Sequence, residues 1–249
     1  MDLNKLITVS TLAGQILLES GAETYRVEET ISRICIAYGA HTADSFVIPT
    51  GIMVTVTYYD EVATLVKRIT SRGVDLNKIN AVNDLSRRIQ TGAIELNDFN
   101  KNLMNISNEP RYSNLITLIF SAIAAGCFAI MFGGNFKDFI AASLIGAVIK
   151  IVTIIFQKLN INEFFVNSFC GGLCALLATL FLNISLCSNL DKTIIGSIML
   201  LVPGLIITNA IRDTIAGDFL SGITKASEAF LVAVSIAVGT GAMLSVFYL

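Results

Sequence analysis

The sequence predicts a polytopic α-helical membrane protein with an N-terminal cytoplasmic α+β domain. Five apolar stretches follow one another in the second part of the chain, and about 20 helical residues are enough to cross the ~30 Å hydrocarbon core of a bilayer. They cover residues 115–134, 139–156, 164–186, 193–211 and 229–249. The residues before them are more polar and include the one His of the chain. We therefore predict a soluble domain over residues 1–110 and a membrane domain of five transmembrane helices over residues 111–249.

Changes in hydrophobic periodicity predict the elements of the soluble part. Apolar residues at helical spacing indicate two helices over residues 3–19 and 23–38. Gly21 can end the first in the left-handed conformation, and Gly39 closes the second. Runs of β-branched residues then predict an antiparallel meander of three strands between residues 45 and 69. Helical spacing returns over residues 75–91 and 95–106. The soluble part should therefore hold two helices, a small sheet and two further helices.

Basic residues beside the apolar stretches predict the orientation, because Lys and Arg in short flanking segments favour the cytoplasmic side. A cytoplasmic N-terminus places five such residues inside and two outside. The inner set is Lys101, Arg111, Lys158, Arg212 and Lys225, and the outer set is Lys137 and Lys192. We therefore expect a multi-pass protein of the cell membrane, with its N-terminus in the cytoplasm and its C-terminus outside.

Several classes of function lack their usual residues. Aromatic and basic residues do not interleave in a charged region, so we expect no nucleic-acid partner. The chain has no recognisable set of nucleophile, base and orienter, no phosphate-binding glycine loop and no zinc motif, so we predict no catalytic residue, no metal and no cofactor. Cys170 and Cys174 lie one helical turn apart on a small-residue face. We interpret them as part of close helix packing and not as a metal pair.

Charge in the soluble part concentrates in GAETYRVEETISRI, residues 21–34. Glu23 and Arg26 are three residues apart and Glu29 and Arg33 are four apart, so each pair meets on one helix surface. Two interpretations remain open. The pairs are either solvated salt bridges or a stripe that contacts the membrane domain or gates a cytoplasmic opening.

The segment VPGLIITNAIRDTIAGDFLSG, residues 202–222, carries the strongest functional signal. Pro203 removes a backbone donor inside an apolar stretch and Gly204 adds backbone freedom, so the helix should kink or break there. Broken helices in bilayers expose backbone groups, which is tolerated where they line a cavity. A polar face follows one turn later, running toward the cytoplasm.

That polar face could bind a small zwitterion or acid. Arg212 offers a cationic fork for a carboxylate, and Thr208 and Asn209 offer neutral hydrogen bonds. Asp213 or Asp218 could hold an ammonium group or exchange a proton. The alternative is an interfacial pair of Arg212 and Asp213 that only ends the helix.

Two ionisable residues elsewhere are further candidates for the substrate pathway. Lys150 lies within the second apolar stretch, where a charge is costly unless it is buried with a partner or reaches the interface. Glu228 stands at the entry to the last stretch. It could carry a proton, or it could favour the positive end of the helix dipole.

Four segments give the chain a resemblance to the threonine/serine exporter family: LAGQILLESGAETYRVEETISRICIAYG, DSFVIPTGIMVTV, RRIQTG and LVPGLIITNAIRDTIAGDFLSGITKASEAF. The resemblance covers essentially the whole chain and implies export of small amino acids or, in a two-subunit branch, of succinate-like dicarboxylates. Members are either one long chain with two membrane halves or two separate proteins, and this chain resembles the N-terminal half. A second short multi-pass membrane protein is the implied partner. The matched motif residues are Glu23, Arg26 and Glu28, then Pro203, Gly204, Asn209, Arg212, Asp213, Gly217 and Asp218.

We therefore expect a subunit of a secondary exporter, driven by the proton motive force because no nucleotide-binding loop is present. A regulatory or sensor subunit is the alternative. A tethered hydrolase acting through Ser45, Thr50 or His41 is a weaker one, because a base and an orienter are missing. Five spans are few for an enclosed pathway, so a homo-oligomer is also open.

Overall fold

The computed structural model describes residues 2–90, 92, 94–110 and 112–248. The predicted helix end at Thr91, the flanking charge of Arg111 and the last residue of the final span, Leu249, lie outside the described residues. The chain forms two compact units. Unit 1 comprises Met1–Arg111 and Leu205–Ser227, and unit 2 comprises Tyr112–Gly204 and Glu228–Leu249. Residues 205–227, which lie within the predicted membrane domain, thus group with the N-terminal residues in unit 1.

Unit 1 begins with two helices, α1 (Leu3–Glu19) and α2 (Thr24–Ala37). The side chain of Asp2 caps α1 by accepting a hydrogen bond from the Lys5 N–H. Gly21 and Gly39 follow the two helices, and both have positive φ, which the sequence predicted for Gly21. Because Cβ is absent, Gly21 can take this conformation in the turn between α1 and α2.

The sheet of unit 1 is the predicted antiparallel meander. Its strands are β1 (Thr42–Ile48), β2 (Gly51–Tyr58) and β3 (Glu61–Arg68), in the order β1-β2-β3. Alternation along β2 buries Ile52, Val54 and Val56 on one face. That face joins the hydrophobic core with α1, α2, α3 (Leu76–Ile89) and α4 (Leu96–Asn108).

Unit 2 consists mainly of long apolar helices. They are α5 (Asn114–Met131), α6 (Phe136–Lys158), α7 (Glu163–Asn183), the short α8 (Leu190–Ile198) and the second part of α10 (Phe219–Tyr248). Among the described residues, four helices are long and apolar enough to cross a membrane, namely α5, α6, α7 and α10. Large apolar side chains such as Phe120 and Phe165 lie exposed on them. A chain with such surfaces belongs in a membrane.

The predicted fourth span, residues 193–211, is not one helix. Helix α8 ends at Ile198, and α9 (Gly204–Ala216) begins after a turn that contains Pro203. The predicted break at Pro203 and Gly204 is therefore present, since proline supplies no backbone donor and its ring clashes with the preceding helical turn. The predicted count of five transmembrane helices is not confirmed, because α8 and α9 are each too short to cross a bilayer alone.

Small residues allow two helices of unit 2 to approach closely. A Cβ atom on Gly239 of α10 would lie only 1.8 Å from the carbonyl oxygen of Ser168 in α7. Gly171 and Gly172 of α7 face Ile236 and Gly239 in the same way, with Cβ positions 2.8 and 3.1 Å from their carbonyl oxygens. This packing agrees with the predicted small-residue face at Cys170 and Cys174 of α7, next to which Gly171 and Gly172 lie.

Asp138 fastens the start of α6 to the turn before α8. Its Oδ1 accepts hydrogen bonds from the N–H groups of Ser188 and Asn189 at 2.7 and 2.9 Å. Its Oδ2 accepts from the Asn135 N–H at 2.9 Å and from the Asn189 side-chain amide at 2.8 Å. The side chain is fully buried, so each donor would lose its partner without Asp138.

We expect Asp138→Asn to destabilise unit 2 by about 2 to 4 kcal/mol, because either amide orientation replaces an oxygen that accepts two hydrogen bonds. The thermal midpoint of the purified chain in detergent would fall. Asp191→Asn is the matched control, since Asp191 is an exposed carboxylate in the first turn of α8. Equal midpoints for the two variants would contradict a fastening role for Asp138.

Candidate functional site

The polar face of α9 binds the turn between α1 and α2. The Asn209 side-chain amide donates to the Gly21 carbonyl at 2.8 Å, and the Arg212 guanidinium forms an ion pair with Glu23. Asp213 accepts hydrogen bonds from both the N–H and the hydroxyl of Thr24, at 3.1 and 2.9 Å. The two motifs that stood out in the sequence, GAET and NAIRD, therefore form one site.

A buried ion pair lies at the centre of this site. The Lys225 Nζ atom of α10 is 2.6 Å from Asp213 Oδ2, and both side chains are almost completely buried. Lys225 also donates to the Thr24 hydroxyl at 3.3 Å. Each of the three side chains thus has a charged or hydroxyl partner, as buried polar groups require.

The hairpin between α9 and α10 brings Lys225 to Asp213. Gly217, with φ +98°, ends α9, and the Asp218 N–H donates to the Asp213 carbonyl at 2.8 Å. Gly222 of α10 then packs directly on α9, where an added Cβ would lie 3.0 Å from the Ala210 carbonyl oxygen. Two residues twelve apart in the sequence therefore meet.

Asp213 also completes the N-terminus of α2. The first N–H groups of a helix need acceptors, and a carboxylate there interacts favourably with the helix dipole. Glu23, the N-cap residue, makes no side-chain capping bond of its own. The carboxylate of Asp213, which belongs to α9, instead accepts the hydrogen bond of the Thr24 N–H.

The Glu23 carboxylate lies between two arginines, Arg212 of α9 and Arg26 of α2. Its carboxylate pairs with Arg212 and lies 3.6 Å from the Arg26 Nε atom. Burial raises the pKa of Glu23, but hydrogen bonds from its own N–H and from Arg212, together with the charges of Arg26 and Arg212, bring the pKa below its ordinary value. By contrast, the exposed Glu29 and the partly buried Arg33 form a pair within α2. Of the two pairs in the charged segment, Glu29 and Arg33 thus stay within α2, whereas Glu23 also engages Arg212 of α9.

Two more acidic residues lie near this site. Glu28 accepts a hydrogen bond from the Val47 N–H at 2.8 Å. Burial raises its pKa, and the charges of Asp218 and Asp213 raise it further. The pKa of Asp218 is also raised, first by burial and then by Asp213, although Lys225 opposes this. These carboxyl groups therefore hold a proton more readily than exposed ones do.

The other predicted pathway residues lie at the start of α9, on α9 itself or in unit 2. Pro203 and Gly204 stand at the start of α9, and Thr208 is exposed on it. Lys150 lies in α6 and Glu228 in α10, both in unit 2. Among the described residues, no group of three or more His, Cys, Asp and Glu side chains is arranged to hold a metal ion.

Sequence reasoning missed Thr24 and Lys225 as members of the site. Lys225 counted only as a flanking charge, and Thr24 stood unremarked between two charged residues. One signal was available for Lys225. Gly217 and Asp218 indicate a tight turn between two helices, and such a turn can bring Lys225 of the second helix next to Asp213 of the first.

Long apolar helices, a helix broken at a proline and a charged site on the following segment define a multi-pass membrane protein of the transporter class. Residues 8–247 match the sequence model described as "Putative threonine/serine exporter". The chain therefore belongs to the threonine/serine exporter family, a family of membrane exporters.

Three relatives give the breadth of this similarity. The chain is 24% identical over 247 residues to a threonine/serine exporter of Corynebacterium glutamicum, which covers 95% of this chain but only 50% of that protein. It is 22% identical over 228 residues to the "Probable succinate transporter subunit YjjP" of Klebsiella aerogenes, covering 90% of this chain and 86% of the relative. The Escherichia coli protein of the same description is 22% identical over 240 residues, covering 94% and 91%. No solved structure matches the chain.

Proposed function

We propose that this chain is one subunit of a secondary exporter for small amino acids such as threonine and serine, or for small dicarboxylates such as succinate. The observation that carries the proposal is the polar face of α9, which follows the break at Pro203 directly. Arg212 on this face keeps 55% of its side chain exposed while it pairs with Glu23. All three solutes carry a carboxylate, and a guanidinium binds carboxylates with two parallel hydrogen bonds.

The proposal includes five membrane crossings, with the N-terminus inside and the C-terminus outside. Helices α8 and α9 have nine and thirteen residues, and about 20 helical residues are needed for one crossing. This combined length is sufficient for one interrupted crossing. The five-to-two distribution of flanking basic residues supports the orientation and the cell membrane as location.

Within this subunit, Pro203, Gly204 and Thr208 would line the pathway at the interruption, and Arg212 would contact the solute. Asn209 and Asp213 have partners in the N-terminal helices, so their proposed contribution is to hold α9 in place. Lys150 and Glu228 remain pathway candidates in unit 2. The cytoplasmic motif residues Glu23, Arg26 and Glu28 would position α9 and the sheet edge from the cytoplasmic side.

Proton motive force is the proposed energy source, with Asp218 as the proton acceptor. Burial and the charge of Asp213 raise the pKa of Asp218, so this carboxyl binds a proton more readily than an exposed one, which supports the assignment. Asp213 is less suited, since its carboxylate is held by Lys225 and Thr24.

The proposed partner is a second short multi-pass membrane protein. Two observations support it. The chain spans half of the Corynebacterium exporter, and two relatives are described as transporter subunits. Assembly of several copies of this chain is the alternative route to an enclosed pathway.

Efflux from loaded cells tests the proposal. We expect labelled threonine, serine or succinate to leave cells that express this chain together with the partner, and not cells that express either alone. Arg212→Ala should lower the efflux rate at least tenfold, because the solute carboxylate loses its cationic partner. Arg33→Ala is the matched control, since Arg33 also pairs with a carboxylate but lies away from α9. Equal rates for the two variants would remove Arg212 from the pathway.

A regulatory subunit is the second candidate, because the N-terminal helices bind α9 directly. Efflux through the partner alone, merely changed in rate by this chain, would favour it. The hydrolase alternative gains no support, since Ser45 donates to the Glu28 carbonyl and His41 accepts from the Tyr59 N–H.

A further inference from the structure

The two edges of the sheet in unit 1 differ in how they are covered. On the β1 edge, the Val47 N–H donates to Glu28 and the Val47 carbonyl accepts from the Ser221 hydroxyl. On the opposite edge, β3 has β2 as its one partner strand within the described part of the chain. Val62 and Val66 of β3 are 64% and 67% exposed. An open edge with exposed valines is a template for another strand.

Hydrogen bonding along the sheet determines which backbone groups point away from the β3 edge. The Val47 N–H points away from β2, so the even-numbered residues of β1 bond with the odd-numbered residues of β2. The even-numbered residues of β2 consequently bond with the odd-numbered residues of β3. Val62, Thr64 and Val66 therefore direct their N–H and carbonyl groups outward.

The charges along β3 are complementary to those of a reversed copy of the same strand. Asp60 and Glu61 stand at its beginning, Lys67 and Arg68 stand at its end, and all four are exposed. An antiparallel copy would place acidic residues beside basic ones at both ends, and apolar residues beside apolar ones between them. A strand of another charge pattern would lack this match.

We propose that β3 pairs with β3 of a second copy of this chain, antiparallel and with the two-fold axis at Thr64, to make a continuous six-stranded sheet. The two Thr64 residues then form a hydrogen-bonded pair, as do Val62 and Val66 of the second copy. Glu61 lies opposite Lys67 of the second copy on one face. The interface is isologous, so the same residues on each copy satisfy one another. This pairing does not depend on the proposed export function.

The outward backbone groups and the charges together select this register. A shift by one residue would place side chains of opposite faces next to each other. A shift by two would centre the axis on Leu65 or Ala63, which preserves the backbone bonds but moves Glu61 away from Lys67. Only the register centred on Thr64 keeps both the backbone hydrogen bonds and the pairing of Glu61 with Lys67.

Cross-linking of single cysteines in membranes tests the pairing. The background carries Cys127→Ser, because Cys127 is the exposed native cysteine among the described residues. Thr64→Cys should give a covalent dimer with a short bifunctional thiol reagent, since paired Cα atoms lie about 5.5 Å apart. Thr55→Cys is the matched control. Thr55 of β2 lies beside Thr64 of β3 on the same face of the sheet. In the six-stranded sheet, however, three strand spacings of about 4.8 Å would separate the two Thr55 residues by about 14 Å.

Two further experiments test the register and the charges. Chains with Val62→Cys and Val66→Cys should cross-link when mixed and not when expressed singly. With Thr64→Cys present, Glu61→Lys or Lys67→Glu alone should lower the dimer yield at least threefold, and the combined exchange should restore it. The proposal is overturned if Thr64→Cys cross-links no better than Thr55→Cys, or if the mixed pair fails while the membrane content of each variant is normal. Efflux is a separate readout, so its failure would leave this result intact.

Discussion

Asp213→Ala is expected to destabilise the chain by about 3 to 5 kcal/mol. The substitution leaves Lys225 charged and buried without its partner, and breaking a buried ion pair from one side costs about this much. It also removes the acceptor for the N–H and hydroxyl of Thr24 at the start of α2. We expect a large fall of the thermal midpoint of the detergent-solubilised chain, and little folded protein in membranes at 37 °C.

A double-mutant cycle separates the pair from general damage. Lys225→Met combined with Asp213→Ala should cost much less than the sum of the two single changes, because neither charge then remains buried alone. The exposed carboxylate of Glu29 provides the comparison, since Glu29→Ala should change stability by less than about 1 kcal/mol. Additive single effects at Asp213 and Lys225 would refute the coupling.

Gly239→Ala is expected to have the second large effect. The added Cβ would lie 1.8 Å from the Ser168 carbonyl oxygen and 2.6 Å from its carbonyl carbon. These are backbone atoms of α7, so α7 and α10 must separate, and such overpacking costs about 1 to 3 kcal/mol or more. The thermal midpoint should fall, and the purified chain should lose its single symmetrical elution peak in detergent.

Gly241→Ala is the matched control on the same helix. Nothing lies within 4 Å of its Cβ position, and alanine favours a helix over glycine by about 0.5 to 1 kcal/mol. Its midpoint should therefore stay equal or rise slightly. If Gly239→Ala and Gly241→Ala had the same thermal midpoint, the result would contradict a close contact between α7 and α10 at Gly239.

Much of the fold was predictable because its signals are local. The predicted limits of α1 coincide with the observed Leu3–Glu19, since its periodicity ends at Ser20 and Gly21. The meander followed from β-branched runs separated by short turns. Pro203 predicted the break in the fourth apolar stretch, because the steric effect of proline acts on its own helix.

The partners in the site were not predictable from the same signals. Periodicity places Asn209 and Asp213 on one face of a helix but does not say what that face meets. In the structure, Asn209 contacts Gly21, 188 residues before it, and Asp213 contacts Thr24, 189 residues before it. Asp138 is a similar case, because its four donors come largely from a turn about 50 residues later. Contacts of this kind depend on the tertiary arrangement.

The position of Asp213 also has a consequence for biosynthesis. The N-terminus of α2 emerges early from the ribosome, whereas the carboxylate that caps it is 189 residues later in the chain and follows three of the apolar helices. Chains fold from the N-terminus as they are made, so α2 must remain without this cap until those helices have been synthesised. Completion of the N-terminal unit is therefore a late event, and a nascent chain that stops before α9 would present an unfinished site to the quality-control machinery of the cell.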